Sequence, residues 1–368
     1  MAPDVAEELA AWLRLQLTPG ISRGAARRLL ATFGTPQAVF EASAAARQEC
    51  LGATAATSLD EVPTALPAAL ATLQTWLDSG PQRDWIALGD AHYPQALLET
   101  ADPPLLLYTQ GDPRLLNSPC LAIVGSRNPT PQGVDNAHAF AEHLGRAGLT
   151  IVSGLALGID GAAHGGALAA GAGTIAVVGT GLDRVYPRKH RDLAHRIAEL
   201  GLIVSEFELG TPPLAANFPQ RNRIIAGLCL GTLVVEAALE SGSLITARHA
   251  VESGREVFAI PGSIHSPQSR GCHALIKQGA KLVDDVRDVL DELRWSPVAA
   301  APPAAAAAAA SDADPLLVAM GYEPVAMDQL QARTGWPTAQ LSARLLDLEL
   351  AGQVARLPGG RYQRAGKA

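Results

Sequence analysis

Apolar residues over the first 77 positions recur at helical spacing. EELAAWLRLQL carries one apolar stripe, Thr18-Pro19-Gly20 breaks it, and SRGAARRLLATFG resumes it as far as Gly34. The pattern predicts helices over residues 4–77, beginning with a helix, a Gly-Ile turn and a second helix. Such a pair resembles a helix-hairpin-helix, whose turn amides can hold a phosphate, although short helical pairs more often serve packing alone.

From Trp85 to about Val289 the pattern changes to short β-branched runs at 105–108, 120–126, 149–156, 174–182, 202–207, 232–237, 256–262 and 280–285. Between most of them lie stretches of helical length, each ending in Gly. Near-continuous apolar strands alternating with helices predict a mainly parallel sheet covered on both faces. Residues 296–315 (SPVAAAPPAAAAAAASDADP) carry no patterned face and read as a linker. Beyond them three helical patterns and a short strand pair around Gly359-Gly360 predict a winged helix-turn-helix, with 338–350 in the recognition-helix position. The expected fold class is therefore α/β: a Rossmann-like, doubly wound, mainly parallel core with a small helical N-terminal domain and a C-terminal winged helix. The expected units are a helical domain over 1–80, the core over 81–295, the linker over 296–315 and the winged helix over 316–368.

Composition narrows the chemistry. The chain has 368 residues, 48% of them hydrophobic, and a net charge of −7, so any polyanion site must be a local concentration of Lys and Arg. Only 16 residues are aromatic (five Trp, five Tyr, six Phe), which leaves few platforms for stacking bases. Cys50, Cys120, Cys229 and Cys272 form no CxxC pair, arguing against a zinc site or a disulfide scaffold. No signal-like N-terminus and no apolar run of about 18 residues is present, so the expected location is cytoplasmic, with no membrane span.

In a doubly wound sheet, ligands bind beyond the carboxyl ends of the strands. Gly125-Ser126-Arg127-Asn128-Pro129 follows the strand CLAIV directly and precedes a helix starting near Pro131; Ser153-Gly154 follows the next strand in the same way. Both turns can present amides and hydroxyls to an anion. Neither a G-x-G-x-x-G nor a GK[ST] loop occurs, so no dinucleotide or nucleoside triphosphate cofactor is expected. In FPQRNRII, Pro219 suits a first helical turn, and Arg221 and Arg223, two apart near that helix start, read as a phosphate clamp, with ion pairing to Glu206, Glu208 or Glu236 as the competing use. Phe218 reads as a loop residue and as the stacking ring. Ser243, within SGSLITA, reads as an N-cap, and Asp160 with His164 as structural hydrogen-bonding groups without a metal. Tyr186-Pro187-Arg188-Lys189-His190-Arg191 is a basic stretch that extends an anion surface or is simply solvated.

The motifs GSRNPT, SGLALGIDGAAH, TIAVVGTGLDRVYP, FPQRNRIIAG, EAALESGSLITARHA and REVFAIPG, in this order and spacing, resemble the DNA-processing protein A (DprA/Smf) family of natural transformation. The resemblance covers the whole chain. Cys229, where Ser is common, and His190, where Asn is often seen, depart from it without touching the clamp. It implies a non-enzymatic, homodimeric single-stranded DNA binder that protects incoming DNA and helps load the RecA recombinase. Its DNA pocket carries over to the GSR turn (Gly125, Ser126, Arg127) and to Phe218, Arg221, Asn222 and Arg223, with Ser153 and Gly154 beside them and Lys277 as a basic addition. The alternative is a nucleotide phosphoribohydrolase on a related core, in which Glu236 would act on a ribose bond. A sequence-specific repressor is a third reading, for which the winged helix offers just Arg344 as a base reader.

Overall fold

The computed structural model describes residues 3–80, 82–296 and 314–364. Six helices open the chain: α1 (Pro3–Leu17), α2 (Arg23–Phe33), α3 (Pro36–Glu41), α4 (Ala44–Leu51), α5 (Ala53–Thr57) and α6 (Leu66–Asp78). Three of them start on hydroxyl caps, Ser22, Thr35 and Ser43 each accepting the amide of the residue three further on. Leu9, Leu13, Leu29, Val39 and Leu73 from these helices share one apolar cluster with Leu106, Tyr108, Ala176 and Ile197 of the following residues. The helices therefore cover one part of the sheet face.

That sheet has nine strands: β1 (Arg83–Ala87), β2 (Leu106–Gly111), β3 (Cys120–Val124), β4 (Thr150–Ser153), β5 (Thr174–Val177), β6 (Leu202–Ser205), β7 (Gly231–Val234), β8 (Glu256–Ala259) and β9 (Lys281–Leu282). Their spatial order is β1-β2-β6-β5-β4-β3-β7-β8-β9, and every neighbouring pair from β6 to β9 is parallel. β2 runs antiparallel to both β1 and β6. The strands are apolar throughout because both faces are covered. Along β3, Cys120, Ala122 and Val124 join one core while Leu121 and Ile123 join another.

Eight further helices pack on this sheet: α7 (Gln95–Leu98), α8 (Pro131–Arg146), α9 (Ile159–Ala169), α10 (Arg191–Leu200), α11 (Asn217–Leu228), α12 (Gly242–Glu252), α13 (Arg270–Lys277) and α14 (Val286–Glu292). The chain leaves β3 toward β4 on one side, and β7 later enters on the other. The two halves thus diverge at the carboxyl ends of β3 and β7, where a doubly wound sheet opens a crevice.

Helices α15 (Pro315–Met320), α16 (Met327–Thr334) and α17 (Thr338–Leu350) and strands β10 (Val325–Ala326), β11 (Val354–Leu357) and β12 (Arg361–Arg364) form the winged helix. Leu316, Met320, Leu330, Leu341, Leu345 and Val354 make its own core. β10 pairs with β12, giving three strands where the sequence pattern predicted two. β1 was also not among the predicted runs. Its residues, RDWIA, alternate polar and apolar too briefly to register, and pairing with β2 supplies what the pattern lacks. The predicted linker falls largely on 297–313, outside the described residues.

Candidate functional site

A cleft of about 720 Å³ opens at this crevice. Its floor begins with the turn after β3. A Cβ on Gly125 would stand 2.7 Å from Ile159 Cγ1 and 2.9 Å from the Glu236 carbonyl, so only glycine lets the turn pass between the α9 start and the segment after β7. Ser126 Oγ then accepts the Asn128 amide at 3.1 Å, and Thr130 caps α8. Glu236 accepts from the Thr130 amide at 2.9 Å and from its hydroxyl at 2.6 Å, bracing the same turn.

Arg127 leaves this turn exposed, and among the described residues it makes no ion pair. Its guanidinium lies 5.5 Å from the ring centroid of Phe218. Phe218 in turn lies 5.6 Å from the ring of Tyr186, tilted by 38°. All three residues line the cleft. A free cation beside two accessible rings offers a phosphate contact and a stacking surface together. Tyr186, 47% exposed, is the residue sequence reasoning placed only within a basic stretch. Phe218 is corrected from loop to the first turn of α11, where Pro219 is tolerated because that turn's amides have no intrahelical partner.

Arg221 sits beneath, 3% exposed, donating to the carbonyls of Gly154 at 2.6 Å and of Val177. A Cβ on Gly154 would overlap the guanidinium at 2.3 Å. Buried Asp160 faces it and accepts the amides of Gly154 at 3.1 Å and Ala156 at 3.2 Å. Burial lowers the Arg221 pKa to about 10, partly offset by Asp160; burial raises that of Asp160 against Arg221 and the two amides. Arg221 therefore braces the β4–α9 turn, its charge set against that of Asp160 under the cleft floor.

Arg223 takes the competing use. Successive residues two apart on a helix point to different sides, and Arg223 leaves the cleft to bind Asp102 at 3.0 Å and Glu206. Arg23 reaches the same two carboxylates at 2.9 and 3.5 Å, and Arg27 also pairs with Asp102. The expectation of a two-arginine clamp is corrected accordingly: these two side chains stand in different environments because the half-buried Asp102 and the buried Glu206 lie on the other flank of α11.

The remaining candidates separate in the same way. Asn222 lines the cleft and donates to the Gly242 carbonyl at 3.3 Å, joining α11 to the start of α12. Ser153 is fully buried and donates to the Ile123 carbonyl at 2.6 Å, so its hydroxyl is spent within the sheet. Gly154 faces Arg221 instead of the opening. Lys277 is exposed at the end of α13 and does not line the cleft. The N-cap of α12 is Ser241, not Ser243, because Ser241 carries the extended backbone and accepts the Ser243 amide at 3.4 Å. Asp160 holds backbone amides, and His164 Nδ1 lies 2.8 Å from Thr174 Oγ1, with burial lowering the His164 pKa to about 3. Among the described residues no group of three His, Cys, Asp or Glu side chains is placed to hold a metal. Arg344, in the recognition-helix position, binds Asp314 at 2.7 Å. No helix among the described residues is long and apolar enough to cross a membrane.

A Rossmann-like sheet with an arginine and two aromatic rings at its switch point, flanked by an N-terminal helical unit and a C-terminal winged helix, defines a three-part α/β class built around an open cleft. Residues 84–294 match the family model described as DNA recombination-mediator protein A, and residues 299–360 match the DprA winged helix domain. The chain belongs to the DNA processing protein A family. It is 46% identical over 300 residues to Protein Smf of Escherichia coli (strain K12), covering 79% of this chain and 80% of that one. The X-ray structure of DNA processing protein A from Streptococcus pneumoniae superposes with a TM-score of 0.64 at 38% identity, covering 78% of this chain and 97% of that one. DNA processing protein A from Helicobacter pylori, solved for its single-stranded DNA binding mode, superposes at 0.53 with 32% identity, covering 59% and 97%.

Proposed function

We propose that the chain binds single-stranded DNA in the cleft between the turn after β3 and the start of α11, without catalysing a reaction. The observation that carries this reading is the exposed, ion-pair-free Arg127 beside the Phe218 and Tyr186 rings. Arg127 contacts a phosphate, the Gly125-Ser126 turn offers its polar groups to the neighbouring backbone, and a base stacks on Phe218 or Tyr186. Arg221 braces the floor from below without direct contact. Stacking and phosphate contact are tolerant of base identity, so binding is expected to be largely sequence-independent. The H. pylori relative, solved for its single-stranded DNA binding mode, supports the same ligand class. A ribose-cleaving role would need Glu236, but both its oxygens are taken by Thr130.

In this reading the chain is a cytoplasmic homodimer that protects the strand and passes it to the RecA recombinase; this part rests on family membership and the cleft does not specify it. The test is fluorescence anisotropy of labelled oligo-dT and of a matched duplex over a salt series. The expected result is preference for the single strand, weakened in Arg127→Ala and Phe218→Ala, with the log–log salt slope of Arg127→Ala shallower by roughly 0.7 per lost phosphate contact. Equal affinity for duplex, or an unchanged slope in Arg127→Ala, would overturn it. Sedimentation with and without purified RecA tests the assembly.

A further inference from the structure

A second cavity, of about 730 Å³, lies beside the first on the sheet face shared by α6 and α10, and Tyr186 lines both. Its inner wall is apolar, formed by Val178, Leu182, Ala194 and Ile203 among others. The remaining lining includes Arg83, Arg184, Arg188, Arg191 and His195, set against Asp183 as the sole carboxylate among the described residues. In a chain of net charge −7, residues 184–196 hold five Lys and Arg against one acid. Part of this charge is already engaged. Arg83 donates to the Trp76 carbonyl at 3.1 Å, and Arg184 pairs with Asp183 at 3.3 Å, while that Asp183 also accepts the Gly210 amide at 2.8 Å. Arg188 and Arg191 are exposed and make no ion pair among the described residues.

An apolar wall with a basic lining suits a ligand that is flat and apolar at one end and anionic at the other, which is the chemistry of a nucleotide unit. Because Tyr186 belongs to both cavities, a strand lying in the first reaches the second by passing this ring. We infer that the second cavity receives the continuation of the single strand held in the first, with Arg188 and Arg191 contacting phosphates beyond Tyr186. The inference rests on the reading of the first cleft as a single-strand site. It extends the binding path to the side of the core that carries the N-terminal helices.

The experiment is a length series of oligo-dT, from about 5 to about 30 nucleotides, titrated against the full chain and the double variant Arg188→Ala/Arg191→Ala. The shortest oligonucleotides, filling the first cleft, should bind both proteins alike. Long ones should bind the double variant on the order of tenfold more weakly, with the salt slope shallower by roughly 1.4, about 0.7 for each of two lost phosphate contacts. Both arginines are exposed, and matched thermal melting confirms that the variant is folded. Identical long-strand affinity and slope in the two proteins would overturn the continuation while leaving the first cleft standing, provided Arg127→Ala still weakens both lengths. Binding of free dTMP that is lost in the double variant, with no dependence of strand affinity on length, would also overturn it, because the cavity would then be a separate nucleotide site. No binding of the full chain at any length would overturn both readings.

Discussion

The two flanks of α11 carry the same residue type to different ends. On the cleft flank, Arg221 is held by carbonyls and Asp160 below an open surface on which Arg127 stands free beside Phe218. On the opposite flank, Arg223 is locked with Arg23 and Arg27 onto Asp102 and Glu206, tying α2, α11 and the end of β6 into one joint. One flank keeps a cation available, Arg127 making no ion pair among the described residues. The other spends its cations on assembly. The contrast shows that an arginine's chemical availability follows from the acids within reach, which its own motif does not encode.

The largest expected effect comes from Arg221→Ala. It strands buried Asp160 and removes the donor from two carbonyls, and the expected loss is about 3–5 kcal/mol in urea unfolding. A loss under about 1 kcal/mol would mean that Arg221 is no brace, and the distinction between the flanks would collapse.

Arg223→Ala should cost less, roughly 2–3 kcal/mol, because Glu206 keeps Arg23 at 3.5 Å and Asp102 keeps both Arg23 and Arg27. Adding Glu206→Gln should recover part of that loss, since the two residues touch and their effects are not additive. Limited proteolysis sharpens the assignment: faster cleavage within α1–α6 in Arg223→Ala, with short oligo-dT affinity unchanged, locates its role at the joint.

The same joint has a defined acid response. Burial raises the Asp102 carboxyl, but hydrogen bonds and charges from Arg27, Arg223 and Arg23 outweigh it and bring its pKa down to about 2. A carboxyl depressed on folding adds stability above its ordinary pKa near 4 and loses that contribution as pH falls through about 2. Glu206 acts with the opposite sign, because its burial outweighs Arg223 and Arg23 and raises its pKa. With the Asp102 side chain 33% exposed, its share is about 1 kcal/mol after solvent screening. Asp102→Asn should therefore flatten the melting-temperature profile between pH 4 and about pH 2. An unchanged slope would remove Asp102 from the joint.

Arg127→Ala marks the other extreme, with an expected stability change within about 0.5 kcal/mol, because the side chain is exposed and unpaired. Thermal melting checks it. A drop comparable to that of Arg223→Ala would mean that Arg127 is structural, and the comparison would fail on its free side.

Much of this molecule is written locally. Eight of the nine sheet strands coincide with apolar runs visible along the chain, and the turn after CLAIV stands at a strand's carboxyl end by that order alone. Tyr186 was legible only as part of a basic stretch; the signal that could have raised it is its place after the TIAVVGTGLD strand, one loop beyond a carboxyl end. Phe218 stands out in the sequence as a ring of interest but not in its helical setting, because the helix starts at Asn217, two residues before the Pro that suits a first turn. The extra strand β10, two residues long, is below what any periodicity can register.

Sequence by itself determined the alternation of strands and helices, the glycine turn after β3, the ordered motifs and the shortage of aromatic platforms, because each follows from neighbouring residues and their spacing. It also presented Arg127, Arg221 and Arg223 as equal cations. Tertiary structure alone decided that Thr130 occupies Glu236, that Asp102 and Glu206 engage Arg223, and that Arg127 makes no ion pair among the described residues. The residues in these pairings lie 17 to 121 positions apart, and in the low-dielectric interior the closest countercharge outweighs any local preference.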